Sequence, residues 1–266
     1  MATLKLTNVK KTFNKGTVTE KRALTGVNLT LHEGDFVTVI GGNGAGKSTL
    51  LNMIAGVYPL DSGTIELDGK DISLLTEPQR AKYLGRVFQD PMRGTAADMQ
   101  IEENLALARR RGKRRGLRWG VTKEERAEYP ALLKTLDLGL DTRMSAKVGL
   151  LSGGQRQALT LLMATLTDPK LLLLDEHTAA LDPKTAKKVL ELTEKIVTER
   201  QLTTFMVTHN MNDAIRLGNR LIMMNAGNVI FDVAGEEKKA LTVPDLLAKF
   251  EKASGSELAN DRMLLS

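Results

Sequence analysis

A glycine-rich segment at residues 41–48 carries the most specific chemical signal in the sequence. It reads Gly-Gly-Asn-Gly-Ala-Gly-Lys-Ser and fits the pattern G-x-x-x-x-G-K-[ST]. Its glycines let backbone N–H groups turn inward on a phosphate, its lysine reaches the β and γ phosphates, and its hydroxyl is a ligand for Mg²⁺. The flanking patterns, a strand at 36–40 and a helix at 49–55, are those that such a loop needs. We therefore expect the residues of this segment to bind a nucleotide: Gly41, Gly42, Asn43, Gly44, Ala45, Gly46, Lys47, Ser48 and Thr49.

Two adjacent carboxylates, Asp175 and Glu176, follow a run of four leucines at 171–174. Such a run is typical of a buried strand, and side chains alternate along a strand, so the two acids can point at different targets. Asp175 is suited to hold a hydrated Mg²⁺, and Glu176 to polarise an attacking water as general base. Another strand pattern, 203–207, leads into His209 at the edge where open α/β sheets collect ligands.

A second helix start with exposed backbone N–H groups is predicted at Leu151-Ser152-Gly153-Gly154-Gln155. Ser152 is a natural N-cap for a helix over 155–166, and the two glycines leave the N–H groups accessible. The chain thus has two candidate anion-binding helix starts.

The combined set of motifs resembles the nucleotide-binding ATPase subunits of ABC transporters, from residue 4 to residue 231. The motifs occur in the order of that family: Walker A at 41–48, the Q-loop residue Gln89, the signature motif at 151–155, Walker B at 171–176, the D-loop at 180–182 and the switch histidine His209. One departure is His177, where the family usually has proline. We expect His177 to be a loop residue near the γ-phosphate, because no carboxylate or histidine repeat completes a metal-ligand set around it.

The resemblance implies that two copies pack head to tail around two ATP molecules, with the signature helix of one chain capping the phosphate held by the other. It implies that Ser48 and Gln89 meet Mg²⁺, that Asp175 holds the ion through water, and that ATP and Mg²⁺ are the cofactors. It further implies that Phe13 stacks on the adenine and that Asp182 contacts the other copy. The residues implied to cap the nucleotide are Ser152, Gly153, Gly154 and Gln155. The residues implied to take part in catalysis are Glu176, His209, Lys47 and Gln89.

The elements that position these residues are predicted from apolar periodicity. Strand patterns lie at 4–9, 23–31, 36–40, 64–67, 86–88, 171–174, 203–207 and 221–224, and helical patterns at 101–111, 122–136 and 155–166. A further helix starts with Asp182 as N-cap and Pro183 first, and a C-terminal helix starts at Thr242.

These elements predict an α/β fold and, with the resemblance, a two-part domain organisation. We expect an ABC-type P-loop ATPase with a RecA-like core, an N-terminal antiparallel β subdomain and an inserted helical subdomain at about 90–166. The predicted domains are 1–235 for the ATPase and 236–266 for the C-terminal helix and tail.

Composition excludes several classes of protein. The chain has 266 residues, 42% hydrophobic and 26% charged, with no apolar run near the ~18 residues that span a bilayer. It has no cysteine, which excludes disulfides and thiolate chemistry, and its N-terminus lacks a signal-peptide pattern. We expect a cytoplasmic protein, held peripherally on the inner face of the membrane through a permease.

The net charge of +6 is concentrated in one segment. Seven basic residues and no acidic residue lie between Arg109 and Arg118, so the remainder of the chain is near neutral. Three interpretations stay open: a solvated helix end, a contact with acidic permease loops or anionic headgroups, and nucleic-acid binding.

The single cassette without a fused membrane segment is typical of importers. The segment 89–107 and the Asp-Glu-His-Thr variant resemble a bacterial branch that works with a receptor lipoprotein and transports aromatic amino acids or similar small solutes. The predicted partners are permease subunits, that lipoprotein and a second copy of the chain, with no nucleic acid. The alternatives are an exporter ATPase and a nucleic-acid-associated or regulatory ATPase.

Overall fold

The computed structural model describes residues 2–113 and 120–254, arranged as two compact units. The first unit contains the chain up to Arg80 and from Gln201 onward, and the second contains 81–200. Arg114, Arg115 and Arg118 of the basic segment and the predicted tail after residue 254 lie outside the described residues.

The first unit holds two sheets and five helices among its described residues. In chain order its elements are β1 (Ala2–Phe13), β2 (Lys21–His32), β3 (Phe36–Ile40), α1 (Lys47–Ala55), β4 (Ser62–Leu67), β5 (Lys70–Asp71), α2 (Glu77–Arg80), β8 (Thr204–Val207), α7 (Met211–Arg216), β9 (Arg220–Asn225), β10 (Asn228–Ala234), α8 (Gly235–Lys239) and α9 (Val243–Ser254).

The second unit is mainly helical and has two strands among its described residues. Its elements are β6 (Leu84–Val87), α3 (Ile101–Arg109), α4 (Lys123–Lys134), a short 3₁₀ helix (Val148–Leu150), α5 (Gly153–Thr165), β7 (Leu171–Asp175) and α6 (Pro183–Glu199).

The N-terminal sheet of the first unit is antiparallel, with β1 between β2 and β4. Leu6 lies opposite both Leu29 and Ile65, and all three side chains are buried. The alternation of buried and exposed residues along β1 and β2 is that of a sheet with one solvated face. The predicted N-terminal antiparallel β subdomain is present in the structure.

The other sheet of the first unit holds the phosphate-binding segment. β3 is parallel to both β8 and β9, and β10 returns antiparallel to β9. All five residues of β3 are buried, as expected for a central strand of a parallel sheet. Helices α7 and α9 cover this sheet, where Leu246 and Phe250 of α9 pack with Ile40 and Met223.

In the second unit, β6 and β7 run parallel, with Val87 opposite Leu174. The helices α3, α4 and α5 share a core of their own that includes Leu105, Leu133 and Leu159. None of the helices within 2–113 and 120–254 is long and apolar enough to cross a bilayer.

Most predicted elements are confirmed, with shifts at their ends. β3 has the predicted bounds, whereas β6 covers 84–87 instead of 86–88. β6 begins earlier because Leu84 and Gly85 already pair with Leu171 and Leu172 of β7. The strand β10 was not predicted, because most of its residues are half-exposed and show no clear alternation.

Candidate functional site

The glycine-rich loop between β3 and α1 has a backbone that only glycine accepts at two of its positions. Gly41 and Gly46 have φ values of 150° and 100°. A Cβ on Gly41 would overlap the carbonyl oxygen of Met224, and one on Gly46 would come within 2.7 Å of the carbonyl oxygen of Ala23. The loop is therefore packed closely against β9 and β2, and Asn43, Gly44 and Ser48 are its exposed residues.

The start of α1 is not capped by any side chain. Gly46 is the N-cap, and the first turn has no acidic residue. The first N–H groups of a helix have no partner within the helix and carry a partial positive charge, so an uncapped start attracts an anion. This local geometry fits the phosphates of a nucleotide.

Lys47 lies inside the loop and bonds to the loop backbone. Its side chain is buried, and Nζ donates to Gly41 O at 2.6 Å and Gly42 O at 3.1 Å. These bonds draw the loop around the ammonium group. Next to it, Ser48 is exposed and presents a hydroxyl, the oxygen ligand that Mg²⁺ prefers.

His209 leaves the same sheet edge as the loop. Val39 of β3 lies opposite Val207 of β8, and Thr208 N donates to Val39 O at 3.1 Å. His209 follows directly and is exposed. Asn210 then caps α7, which fixes the backbone on both sides of the histidine.

Phe13, the predicted adenine-stacking residue, is at the end of β1 and is half-exposed. Tyr58 packs edge-to-face against its ring at a centroid distance of 5.2 Å, and Lys11 Nζ lies 5.6 Å from the ring centre. The ring is held in place by these neighbours, and its stacking role stays a prediction.

In the second unit, Gln89 and Asp175 lie at the ends of two neighbouring parallel strands. Asp175 is the last residue of β7, and Gln89 lies two residues beyond β6. Gln157, fully buried on α5, donates to Phe88 O at 3.1 Å and so anchors the backbone just before Gln89.

Arg86 is a charged neighbour of Asp175 that sequence reasoning missed. Its Nη2 lies 3.8 Å from Asp175 Oδ2, and its guanidinium stacks 4.4 Å from the ring centre of Phe88. The available signal was an arginine within the apolar strand pattern of β6. Arg86 places a positive charge beside the carboxylate that is predicted to hold hydrated Mg²⁺.

Glu176 lies at the start of a tight turn. Its φ is 43°, in the left-handed region, and Ala179 N donates to its carbonyl oxygen at 2.9 Å. Asp182 ends the loop as the N-cap of α6, with Pro183 in the first turn, as predicted. The pKa of Asp182 is lowered because its carboxylate accepts hydrogen bonds from the side chain and backbone N–H of Thr185.

His177 lies in the turn after β7, as expected for a loop residue, but its side chain points into the protein. Its side chain is 1% exposed, and its Nε2 lies 3.0 Å from Thr193 Oγ1 on α6. Burial lowers the pKa of His177 to about 4, so the ring is neutral at physiological pH. The sequence did not reveal this, because a single histidine in a loop carries no burial signal.

The start of α5 is closed by its own side chains. Ser152 Oγ accepts from Gln155 N at 3.3 Å, and Gln155 Oε1 accepts from Ser152 N at 3.2 Å, a reciprocal capping box. A Cβ on Gly154 would overlap Thr185 Cγ2 at the start of α6. The second predicted helix start therefore exists, and its glycine is also needed for packing.

The basic segment is partly neutralised within the second unit. Three of its arginines have partners: Arg109 pairs with Glu128 at 2.5 Å, Arg110 with Glu125 at 2.8 Å, and Arg111 donates to Ala164 O and Thr167 Oγ1 at 2.9 and 2.8 Å. Although burial alone would raise it, the pKa of Glu125 is lowered by the hydrogen bonds from Thr122 and Arg110. These three charges hold the helical part together, which the sequence pattern did not show.

The site residues thus form two sets. The first unit brings together residues 41–49 and His209 at one sheet edge, with Phe13 on the other sheet. The second unit carries Gln89, Asp175, Glu176 and Asp182, together with the helix start at 152–155. Within the described residues, no group of three acidic or histidine side chains lies close enough to hold a metal ion unaided.

Comparison with known proteins agrees with this arrangement. Residues 24–179 match the sequence profile of the family described as ABC transporter. The chain is 46% identical to the tyrosine transport ATP-binding protein of Clostridioides difficile, over 94% of this chain and 99% of that protein. It is 34% identical to the methionine import ATP-binding protein MetN 2 of Enterococcus faecalis, over 91% of this chain and 67% of that protein.

A solved structure shows the same fold. The dimeric post-hydrolysis structure of the ATP-binding cassette MJ0796, bound to ADP and Pi, superposes with a TM-score of 0.73 at 33% identity, covering 87% of this chain and 98% of that one. The uncapped helix α1 and the buried Lys47 agree with these similarities. The chain therefore belongs to the ABC transporter family, as an ATP-binding, ATP-hydrolysing subunit.

Proposed function

We propose that this chain hydrolyses ATP to drive import of an aromatic amino acid, tyrosine or a close analogue, through a separate membrane permease. The observation that carries the ATPase part of the proposal is the start of α1, where an uncapped helix and the buried Lys47 are placed to bind an anion. The cargo is suggested by the 46% identity with a tyrosine transport protein over nearly the whole of both chains. Two copies close head to tail around ATP, as the resemblance implies, and the solved relative MJ0796 is dimeric.

The first unit binds the nucleotide. Backbone N–H groups of residues 41–49 hold the phosphates, and Lys47 exchanges its bonds with Gly41 O and Gly42 O for phosphate oxygens. Phe13 stacks on the adenine ring. His209, beside the loop at the same sheet edge, positions the γ-phosphate for attack.

The second unit supplies the groups that act on water. Glu176 takes the proton of the attacking water as general base, and Gln89 and Asp175 hold the metal, Asp175 through water. Mg²⁺, when bound, neutralises charge on the phosphate oxygens. The oxygens of Ser48, Gln89 and Asp175 are the hard ligands that this ion takes, which is why these residues fit it. Ser152 to Gln155 cap the phosphate held by the partner copy, and Asp182 contacts that copy.

The proposed location follows from the proposed partners. The chain lies in the cytoplasm against the inner face of the membrane through its permease, and a receptor lipoprotein delivers the solute outside. The same cassette geometry would serve an exporter, so the direction of transport rests on relatives that are named as import proteins, such as MetN 2. The pairing of Arg109, Arg110 and Arg111 argues against a nucleic-acid-binding basic patch.

The catalytic part of the proposal is tested with Glu176→Gln, and with Glu191→Gln on the exposed face of α6 as the matched control. Glutamine keeps the shape of the side chain and removes the base. We expect the Glu176 variant to bind ATP, to elute as a dimer with Mg-ATP on gel filtration, and to hydrolyse it at least about 100-fold more slowly. A variant that stays monomeric would contradict head-to-tail closure, and one with wild-type hydrolysis would contradict the assignment of the base.

The cargo is tested by uptake in cells. A strain that lacks this chain, complemented with the wild type, should accumulate labelled tyrosine, and complementation with Lys47→Ala should not restore uptake. An affinity-tagged chain should co-purify with a multi-span membrane protein. Restored uptake of a solute without an aromatic ring, with none of tyrosine, would overturn the cargo assignment and leave the ATPase assignment intact.

A further inference from the structure

A polar pair lies inside the otherwise apolar buried face of α6. His177 is 1% exposed and Thr193 is 0% exposed. Their surroundings on α6 are buried apolar side chains: Val189, Leu190, Ile196 and Val197. Burying polar groups has a desolvation cost that apolar residues of similar size do not have. Natural sequences break such local rules most often at functional sites, so this pair calls for a functional explanation.

The direction of the hydrogen bond follows from the second bond of the threonine. Thr193 Oγ1 donates its single hydrogen to Val189 O at 2.8 Å, the usual bond of a helical threonine to the preceding turn. The same oxygen must then accept from His177 Nε2 at 3.0 Å. The proton of the neutral ring is therefore on Nε2, and Nδ1 is a bare acceptor with no hydrogen-bond partner in the described part of the chain.

The residue before this anchor is Glu176, whose backbone is unusual. A φ of 43° is costly for a residue with a long side chain, and such a conformation persists only where its surroundings fix it. The turn is closed on one side by the bond from Ala179 N to Glu176 O. On the other side, the side chain of the next residue is tied to the third turn of a 17-residue helix.

We propose that His177 is a positioning residue for hydrolysis: by donating from Nε2 to Thr193, it fixes the left-handed backbone of Glu176 and with it the direction of the Glu176 carboxylate. The inference rests on the proposed role of Glu176 as general base. A proline at 177, the residue more usual in the family, restricts the same backbone through its ring, whereas this chain uses a buried side-chain bond. The side chain of His177 is buried, so it acts through Glu176 and not on a ligand directly.

The test separates positioning from binding. In the full-length chain, Thr193→Val removes the acceptor at nearly constant volume, and Thr165→Val is the matched control. Thr165 is also fully buried and donates to Leu161 O at 2.9 Å, and its hydroxyl bonds to helix carbonyls instead of a histidine. We expect Thr193→Val and His177→Leu to lower kcat about 10-fold or more and to leave KM and the Kd of ATP within about twofold. Thr165→Val should keep the wild-type kcat.

Rescue of kcat by a conservative variant is a result that a purely structural role of His177 does not predict. Glutamine places an amide N–H near the position of the histidine Nε2. With Thr193 present, His177→Gln should therefore recover most of the kcat that His177→Leu loses. In the Thr193→Val background, His177→Gln should recover none of it. Long-range ¹⁵N NMR of the imidazole should show the Nε2–H tautomer. An Nδ1–H tautomer, or equal kcat values for His177→Gln and His177→Leu, would overturn the proposal.

The outcomes also distinguish the role of Glu176 from that of His177. If Glu176→Gln hydrolyses ATP normally, the proposed base is wrong. If Glu176→Gln is inactive while Thr193→Val matches Thr165→Val in kcat, the base stands and the positioning role of His177 is refuted. Should His177→Leu fail to fold, Thr193→Val and His177→Gln still decide the question.

Discussion

Replacing Arg80 with methionine should destabilise the phosphate-binding helix from its far end. Arg80 is 1% exposed, and Nη1 donates to Met53 O at 2.7 Å and Ile54 O at 2.9 Å. Its Nε and Nη2 donate to Leu75 O at 2.9 Å and Ser73 O at 3.0 Å. Met53 and Ile54 are in the last turn of α1, where the carbonyl groups lack the usual helical partners, and Met53 O also accepts from Gly56 N at 3.2 Å. One guanidinium thus closes the C-terminal end of the helix whose start holds the nucleotide.

The size of the effect follows from these bonds. A hydrogen bond from a charged donor contributes about 1.5–3 kcal/mol, so four of them set an upper limit of roughly 6–12 kcal/mol. Burial lowers the pKa of Arg80, and losing that desolvation cost offsets part of the loss in the methionine variant. Removing one partner of a buried ionic arrangement usually costs about 3–5 kcal/mol, and we expect a loss in the free energy of unfolding within that range.

The assay is guanidinium denaturation followed by circular dichroism, with ATP affinity measured on the same samples. Arg22→Met is the control, because that side chain is 77% exposed and should change stability by less than about 0.5 kcal/mol. Arg80→Lys should lie between the two, since one ammonium group cannot reach four carbonyls. If Arg80→Met lost no more stability than Arg22→Met, the capping of α1 by Arg80 would be refuted.

Three other changes test separate parts of the structure. Lys47→Ala should weaken ATP binding at least about tenfold in a fluorescent-nucleotide titration, and wild-type affinity would contradict its place in the loop. Gly154→Ala should lower stability by about 1–3 kcal/mol because its Cβ overlaps Thr185 Cγ2, and the added change Thr185→Ser, which removes that methyl group, should restore it. Tyr129→Phe should leave stability unchanged or raise it by about 1 kcal/mol, because the buried hydroxyl has no hydrogen-bond partner among the described residues. Burial raises the pKa of Tyr129 to about 12, so above pH 10 the unfolded chain loses this proton before the folded chain does. The wild type should therefore lose stability between about pH 10 and 12 in pH-dependent denaturation, and a phenylalanine variant with the same alkaline loss would contradict this.

Much of the fold could be predicted because its central strands are strongly patterned. The buried run of β3 and the leucines of β7 are flanked by turn signals, and their bounds agree with the structure to within one residue. β10 follows a tight turn at Ala226 and Gly227, both with positive φ, which lacks the usual Asn-Gly or Asp-Gly signal. The six-residue helix α7 is too short for helical periodicity to appear.

The parts of the candidate site that follow local sequence motifs could be predicted. The parts that depend on how side chains pack in three dimensions could not. The glycine-rich loop and the caps at Ser152 and Asp182 follow local rules, and the structure confirms both caps. The inward turn of His177 and the approach of Arg86 to Asp175 depend on tertiary contacts that are far apart in sequence. For the same reason, the charge of the basic segment could be counted from the sequence, whereas its partners on α4 could not be identified.

The two glycine-rich helix starts differ in what an anion must displace. At α1 the N-cap is Gly46, which has no side chain, and a phosphate that recruits Lys47 must take Nζ from the carbonyl oxygens of Gly41 and Gly42. At α5 the hydroxyl of Ser152 accepts from Gln155 N and keeps its own hydrogen, so it can donate to a phosphate without breaking that bond. An anion at α1 therefore requires a rearrangement of the chain, whereas the start of α5 offers its hydroxyl already in place.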